Sequence, residues 1–379
     1  KKTDKLLKRI HEELPTKLKE VGIRFYIPEK IAVRQLKKLR KRIYARIDAD
    51  GIVLVSGKGK RKTPIQRLSE WIDQCLAKLK QYTKDIHICG NRNSFSKTDH
   101  DATFMHMKED YMRNGQLKPG YNVNVATCSD FIIGSYISSD RNDVHTLIPF
   151  MEQLRKNYAG RNIGSVVVDS GYESEENYCW FEAHPETELY VKPSNYEAVK
   201  HRKYRTDISR RENMAYDAQT DTYTCANGKL LQRTQEKKTH TASGLEIAIS
   251  VYECNECDGC PFKEKCIRAC GSKKPLEERY KVIYVSKRFA RQRQAMEAKI
   301  SSPKGCLLRV NRSIQAEGNF AYVKQDLDFR RFLLRGSTKV AAEWLLFSLA
   351  LNILHLHHKI QNRRLGSGLK IPSSFPAGL

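Results

Sequence analysis

Apolar residues recur at helical spacing through the first 86 residues of the chain. Spacings of three and four residues place these apolar side chains on one face of a helix, so each set predicts an amphipathic helix. The three sets are Leu6, Leu7, Ile10 and Leu14, then Leu36, Leu39, Ile43 and Ile47, and then Leu68, Ile72, Cys75 and Leu79. Residues 1–86 are therefore predicted to form a helical region.

The period changes to that of strands after this region. Tyr121, Val123 and Val125 alternate with asparagines, which predicts a half-buried strand, and residues 131–137 form a second apolar strand. Asn142 or Asp143 is suited to cap a helix that runs to about Tyr158. The β-branched run at residues 163–168 is typical of a buried central strand, and a helix at 174–184 and a strand at 189–191 follow.

Residues 195–285 interrupt this alternation. They are polar and contain a cysteine cluster, so we interpret them as an insertion. Helical spacing returns at about 286–300, 309–326 and 338–362. The predicted fold class is an α/β protein with a mixed sheet flanked by helices. Along the chain, we expect a helical region at 1–86, a first part of the α/β domain at 87–194, the insertion at 195–285, a second part of the α/β domain at 286–364 and a loose tail at 365–379.

Charge indicates the kind of partner. The chain carries 68 Lys and Arg against 43 Asp and Glu, a net charge of +25, and residues 1–86 alone have a net charge of +14. A polyanion is the natural partner of such a chain, because Lys and Arg that meet phosphates release condensed counterions. The polar loop at 56–62 contains two glycines with Lys58, Lys60, Arg61 and Lys62 and is predicted to contact DNA phosphates, although a solvated charged face is the alternative.

The cellular location follows from what the sequence lacks. The start KKTDKLLKRI has no apolar run of the kind found in secretion signals. The longest apolar stretch, near 340–356, is interrupted by Glu343 and Asn352, so it predicts a buried helix rather than a membrane span. Eleven cysteines without a secretion signal indicate reduced thiols. We therefore expect a cytoplasmic protein with no membrane partner.

Three acidic positions stand out by their context. Asp169 ends the apolar run Ser165–Val168 and precedes Ser170 and Gly171, and a carboxylate at the end of a buried strand is well placed to face a crevice. Glu317 stands beside Gly318 in a predicted helix, where glycine costs about 1 kcal/mol. Asp99, with Asp101 as its competitor, precedes the first clear strand. Taken singly, Asp169 also suits a helix cap, and an exposed Glu on a helix is ordinarily solvated.

A set of three carboxylates has a specific use on a chain that binds DNA. Phosphodiester cleavage and strand transfer are in-line displacements, and two Mg²⁺ ions about 4 Å apart can stabilise both the attacking and the leaving oxygen. Carboxylate oxygens are ligands that Mg²⁺ prefers. The combination of these acidic residues with a basic chain therefore indicates metal-dependent chemistry on DNA.

Several segments resemble DDE-type transposases of bacterial insertion sequences. They are TDHDATFMHMKEDYMRNGQLKPGYNVNVAT, VVVDSGYESEENY, YVKPSNYE, NRSIQAEGNFAYVKQDLDFRRFLLRG and EWLLFSLALNILHLHHKIQ, between about residues 86 and 362. The resemblance implies a ribonuclease H-like fold with an insertion before the Glu. It also implies that Asp99, Asp169 and Glu317 bind two Mg²⁺ ions, with Mn²⁺ as a substitute, and that the chain cleaves DNA and transfers strands. We expect a homodimer on DNA.

The surroundings of Glu317 match the family's motif in part. The family has a Lys seven residues beyond the Glu, which Lys324 fits, and a Tyr and an Arg before it. Arg312 lies one residue from the usual Arg position, and no Tyr stands at the expected place. The resemblance therefore implies phosphate contacts for Lys324 and, with a departure in spacing, for Arg312.

The insertion carries a compact cysteine motif. Cys254, Cys257, Cys260 and Cys266 lie within thirteen residues, and Cys270 follows. Overlapping C-x-x-C steps let thiolates converge on one tetrahedral ion, which suits Zn²⁺. An iron–sulfur cluster is the alternative metal centre, although no Cys-Pro completes that pattern. Reduced cysteines without a metal are the remaining interpretation.

Two other functions compete with transposition. One is a non-catalytic DNA-binding protein built from the basic helices and a zinc module. The other is an inactive transposase remnant that folds but no longer cleaves DNA. A carboxylate at a strand end and a Glu beside Gly on a basic helix favour the catalytic interpretation, because a binding protein does not need them there.

Overall fold

A computed structural model describes residues 2–366, 368 and 369, with gaps at 30, 58, 108–111, 113, 160, 242 and 269–273. The chain divides into two compact units, Lys1–Pro119 and Gly120–Leu379.

The first unit contains the three helices that the apolar spacing predicts. They are α1 (Lys2–Glu20), α2 (Val33–Ala49) and α3 (Pro64–Cys89). The Thr63 hydroxyl accepts a hydrogen bond from Gln66 N at 3.3 Å, which caps the first turn of α3. All three helices contribute to one apolar core, because each predicted apolar stripe faces inward. The core residues include Ile10, Leu14, Leu36, Leu39, Ile43, Ile47, Leu68, Ile72, Cys75 and Leu79.

Two short strands follow the helices. Strand β1 (Thr103–Met105) pairs with β2 (Lys118–Gly120) in a two-stranded sheet. The sequence pattern did not predict either strand, because each is only three residues long and neither shows clear alternation.

The second unit begins with the strands and helices that the change of period predicts. Strands β3 (Asn122–Cys128) and β4 (Phe131–Ser138) pair antiparallel. Helix α4 (Leu147–Asn157) leads to β5 (Ser165–Val168), and α5 (Glu175–Glu182) leads to β6 (Glu188–Val191). Strands β5 and β6 pair in parallel. The mixed α/β class is therefore confirmed.

The predicted single mixed sheet is corrected by the hydrogen-bond pattern. Among the described residues, β3–β4 and β5–β6 form two separate two-stranded ladders. The pairs are held together by packing, since Ala126 of β3, Tyr136 of β4 and Val166 of β5 line one core with α4 and α5. Strand β5 is also less buried than the predicted central strand, with Ser165 exposed. Side-chain packing therefore takes the place of a continuous ladder.

The insertion folds around an antiparallel sheet. Its five strands lie in the order β11–β10–β9–β8–β7, so neighbours in space are also neighbours in sequence. The elements are α6 (Arg202–Arg205), β7 (Ala215–Asp217), β8 (Thr222–Thr224), β9 (Leu230–His240), β10 (Glu246–Cys254), α7 (Lys263–Cys266) and β11 (Lys281–Val285).

The last part of the chain is helical, as predicted. Helix α8 (Lys287–Ser301) is followed by α9 (Pro303–Arg312) and α10 (Gly318–Ala321). Two π-helical segments, Ser313–Glu317 and Tyr322–Asp326, lie on either side of α10 and continue the helix that begins with α9. Short π segments widen a helix locally and are frequent at functional sites.

The final helix, α11 (Ser337–Gln361), is not the buried helix that its composition predicts. One face packs against β4, where Asn352 Oδ1 accepts from Ile132 N and Asn352 Nδ2 donates to Ile132 O, both at 2.8 Å. The other face exposes large apolar side chains. They are Leu345, Leu346, Leu349, Ile353, Leu356 and Ile360. Within the described part of the chain, this is the one helix long and apolar enough to span a membrane by length and composition, a criterion that core helices of soluble proteins also meet.

Candidate functional site

Asp169 lies at the end of β5, where the sequence predicts it. Its carboxylate is exposed and accepts a hydrogen bond from Ser170 N at 2.7 Å, which starts the 3-10 turn Ser170–Tyr172. The side chain therefore also has the capping role that its position in the sequence allows. An exposed carboxylate held at a strand end remains available to a ligand.

Glu317 ends the first π segment and is paired with a cation. Its side chain is 63% exposed, and its carboxylate accepts from Arg312 Nη2 at 2.8 Å and from Ser313 Oγ at 3.0 Å. The π turn places Arg312, five residues earlier, beside the carboxylate. Arg312 is therefore close to Glu317 despite the departure from the family's spacing.

Tyr172, in the turn after Asp169, contacts strand β3. Its hydroxyl donates to Asn124 Oδ1 at 2.5 Å. Burial raises the pKa of this phenol far above its ordinary value, the negative charges of Asp143 and Asp169 raise it further, and the positive charge of Arg312 opposes them. The charges of Asp143, Asp169 and Arg312 therefore all act on the pKa of this one phenol.

Asp143 is a carboxylate of this region whose position in the sequence predicts only a helix cap. Asn122 Nδ2 donates to its Oδ1 at 2.6 Å. A Cβ added to Gly171 would lie 3.0 Å from Asp143 Oδ2, so the turn after Asp169 approaches this carboxylate closely because residue 171 is glycine. The signal for a further role was weak, because an Asp before a helix is ordinarily a cap.

Glu173 holds the turn after Asp169 against α8. Its side chain is buried and accepts from Arg293 Nε and Nη2, both at 2.8 Å, and from Ser194 N at 2.7 Å. Burial raises the pKa of Glu173, but the hydrogen bonds from Arg293 and Ser194 outweigh it, so the pKa lies below its ordinary value. This bidentate ion pair fixes the backbone four residues after Asp169.

Asp99 and Asp101 belong to the first unit. Asp99 Oδ1 accepts from Asp101 N at 3.2 Å, which forms a local turn. Arg92 supports the same turn by donating to the carbonyls of His100 and Asp101, both at 2.7 Å. These hydrogen bonds give both residues a turn-forming role, and the metal-binding role of Asp99 stays a prediction.

No group of three or more His, Cys, Asp or Glu side chains is positioned to hold a metal ion in the described part of the chain. The metal-binding roles of the acidic residues and of the insertion cysteines stay predictions.

The cysteines of the insertion nevertheless come together. Cys254, Cys257 and Cys266 are buried, Cys260 is half-buried, and Cys270 lies outside the described residues. Burial raises the pKa of Cys254 to about 11, and the neighbouring thiols of Cys257 and Cys225 raise it as well. Sequence spacing missed Cys225, because it lies 29 residues before Cys254.

The predicted basic loop is only partly a free cationic surface. Lys60 and Arg61 are exposed, Lys62 Nζ donates to Glu70 at 2.7 Å, and Lys58 lies outside the described residues.

Helix α2 carries a second basic surface, which the clustering of charge around glycines did not indicate. Arg34, Lys37, Lys38 and Lys41 are exposed and share one helix face by spacings of three, four and seven residues. We call these four residues the α2 basic face.

Comparison with known proteins assigns part of the chain. Residues 224–357 match the family model described as a transposase DDE domain. Neither the curated proteins nor the solved structures include a significant match. The match confirms the resemblance to DDE-type transposases over a stretch that includes Glu317, Lys324 and the insertion cysteines. Asp99, Asp143 and Asp169 lie outside it.

Proposed function

We propose that this chain is a DNA transposase that cleaves and joins DNA strands of an insertion sequence. The family match over residues 224–357 carries the proposal. It is supported by the exposed carboxylates of Asp169 and Glu317 and by the ion pair between Arg312 and Glu317.

The donor set suits the metal that the family uses. Asp169 and Glu317 offer exposed carboxylate oxygens, which are the ligands Mg²⁺ prefers. When bound, two such ions supply Lewis acidity for in-line displacement at phosphorus. Arg312 neutralises Glu317 in the free protein and becomes available to a phosphate when Glu317 turns to a metal. Lys324, seven residues beyond Glu317, is proposed to contact the DNA backbone.

The third carboxylate is the open part of this proposal. Asp99 is implied by the resemblance, Asp101 competes with it, and Asp143 lies against the turn that follows Asp169. Asp143 has the advantage of belonging to the same compact unit as Asp169 and Glu317. The α2 basic face and the loop at Lys60 and Arg61 are proposed to supply non-specific DNA affinity.

Cleavage of the element's end sequences with Mg²⁺ tests the proposal. Asp169→Asn and Glu317→Gln should each lower the cleavage rate by orders of magnitude while DNA binding persists, because the metal ligands act as a unit. Glu297→Gln, an exposed Glu on α8, is the matched control and should cleave normally.

Among Asp99→Asn, Asp101→Asn and Asp143→Asn, the variant with the same loss identifies the third ligand. Normal cleavage by Glu317→Gln would overturn the mechanism. Binding without cleavage by the unaltered chain would favour the DNA-binding protein or inactive remnant.

A further inference from the structure

Five cysteines line one small cavity in the insertion. The cavity has a volume of about 20 Å³, enough for one water or one ion rather than an organic ligand. Four of the cysteines belong to the motif at 254–266, and the fifth is Cys225, from the turn after β8.

The β8–β9 hairpin places Cys225 at this cavity. Cys225 N donates to Lys229 O and Gly228 N donates to Cys225 O, both at 2.9 Å, so Cys225 opens a tight turn. Lys229 Nζ bonds the carboxylate of Glu256, inside the cysteine motif. Sheet topology contributes as well, since Cys254 ends β10 and lies opposite Lys281 of β11. Two parts of the insertion that are far apart in sequence thus converge.

Lys281 of β11 lies at the same cavity as the cysteines. Lys281 N donates to Cys257 Sγ at 3.4 Å. The Lys281 side chain is 9% exposed and lines the same cavity, where its ammonium donates to Ser209 O at 2.7 Å and Cys266 O at 3.1 Å. Lys281 thus joins β11 to Cys257 and Cys266 of the cysteine motif around one cavity.

We propose that this cavity takes one thiophilic divalent ion of the zinc class and that Cys225 is one of its ligands, with the others drawn from the 254–266 motif. Four thiolates are the usual set for a structural zinc ion, and five cysteines surround a volume that admits one ion. The described residues hold no set of thiols already placed for an ion, so binding at this cavity requires the thiols to rotate toward it. Ligation by Cys225 ties the β8–β9 turn to the motif after β10, so the ion stabilises the insertion sheet. The proposal does not depend on DNA cleavage.

Metal content of the full chain tests this site. Protein purified without chelator should hold about one equivalent of Zn²⁺. Cys225→Ser and Cys257→Ser should each lose most of it, and Cys128→Ser, which alters an exposed cysteine of β3, should keep it. Absence of metal from the unaltered protein overturns the proposal. Retention of a full equivalent by Cys225→Ser also overturns it and favours a site within the motif alone.

A second measurement needs no substitution, so it stands even where a variant fails to fold. Cysteines of the unaltered protein are alkylated before and after chelation and mapped by mass spectrometry. We expect Cys225 to be protected until the ion is removed, whereas Cys128 reacts in both states. Equal labelling of Cys225 in both states would exclude it as a ligand.

Discussion

The carboxylate region around Asp169 and the cysteine cavity of the insertion differ in burial and in donor atom. Asp169 and Glu317 present hard oxygen donors in exposed positions, and Glu317 is held by an arginine in the free protein. The insertion gathers soft sulfur donors, three of them buried, around a volume for one ion. An exposed carboxylate can exchange partners when a substrate arrives, whereas a buried thiol set has no room for a substrate. The first region is therefore suited to chemistry and the second to stability.

Changing the donor atom at Asp169 gives the largest expected effect. Asp169→Cys should lower Mg²⁺-dependent cleavage by about a thousandfold or more, which corresponds to at least ~4 kcal/mol of activation free energy. Mn²⁺ should restore part of the rate, because softer ions accept thiolate ligands that Mg²⁺ refuses. Asp169→Asn is the control that Mn²⁺ should not restore. Identical metal dependence of the two variants would show that this side chain does not bind the ion.

The ion pair behind Asp169 should contribute the next largest effect. Arg293→Met leaves the Glu173 carboxylate buried without its partner and should lower the free energy of unfolding by about 3–5 kcal/mol in urea titrations. Glu173→Gln with Arg293→Met removes both charges and should be closer to the unaltered chain. A double variant as unstable as Arg293→Met would mean that the loss comes from packing of the arginine.

The same pair has a pH dependence of defined sign. The pKa of Glu173 is lowered in the folded state from its ordinary value of 4.5, so its contribution is present above that value. The contribution is lost as the pH falls from 4.5 through the lower folded pKa. Glu173→Gln should lack this share of the acid destabilisation, and an unchanged acid profile would contradict the assignment.

Removal of the zinc-class ion proposed for the cysteine cavity should lower the stability of the insertion and leave DNA binding unchanged. At about one hundred times the dissociation constant, a bound ion contributes about 2.7 kcal/mol of stability. For a compact unit as large as Gly120–Leu379, chelation of the ion should lower Tm by roughly 5–10 °C in a thermal scan. DNA affinity should stay unchanged, because it is expected to rest on the basic surfaces of the first unit. A parallel loss of affinity would show that the two functions are coupled.

The basic surfaces should give the smallest effects per residue. Lys37→Ala with Lys41→Ala removes two charges from the α2 basic face and should lower the slope of log affinity against log salt by about 0.9 for each phosphate that the variant no longer neutralises. Lys60→Ala with Arg61→Ala tests the loop in the same binding assay. If only the loop variant changed the affinity and its salt dependence, the loop predicted from the sequence, and not the α2 basic face, would be the DNA-binding surface.

Elements with a long periodic pattern could be predicted from the sequence alone. Apolar stripes such as that of Leu36, Leu39 and Ile43 fix three helices, because burying one face of a 3.6-residue period leaves few alternatives. The acid at the end of β5, the Glu beside Gly318 and the transposase resemblance were also readable from sequence. Local spacing carried each of these signals.

Features that depend on residues far apart in the sequence became visible only in the three-dimensional structure. The structure has two separate strand ladders where one sheet was predicted. The sequence pattern predicts strands but does not indicate which strands pair by hydrogen bonds. The structure exposed one face of α11, whose composition alone predicts burial on all sides. It also placed Asp143 against Gly171 and Cys225 beside the later cysteines. Spacing along the chain cannot report such proximity, because chain reversals at hairpins and loops create it.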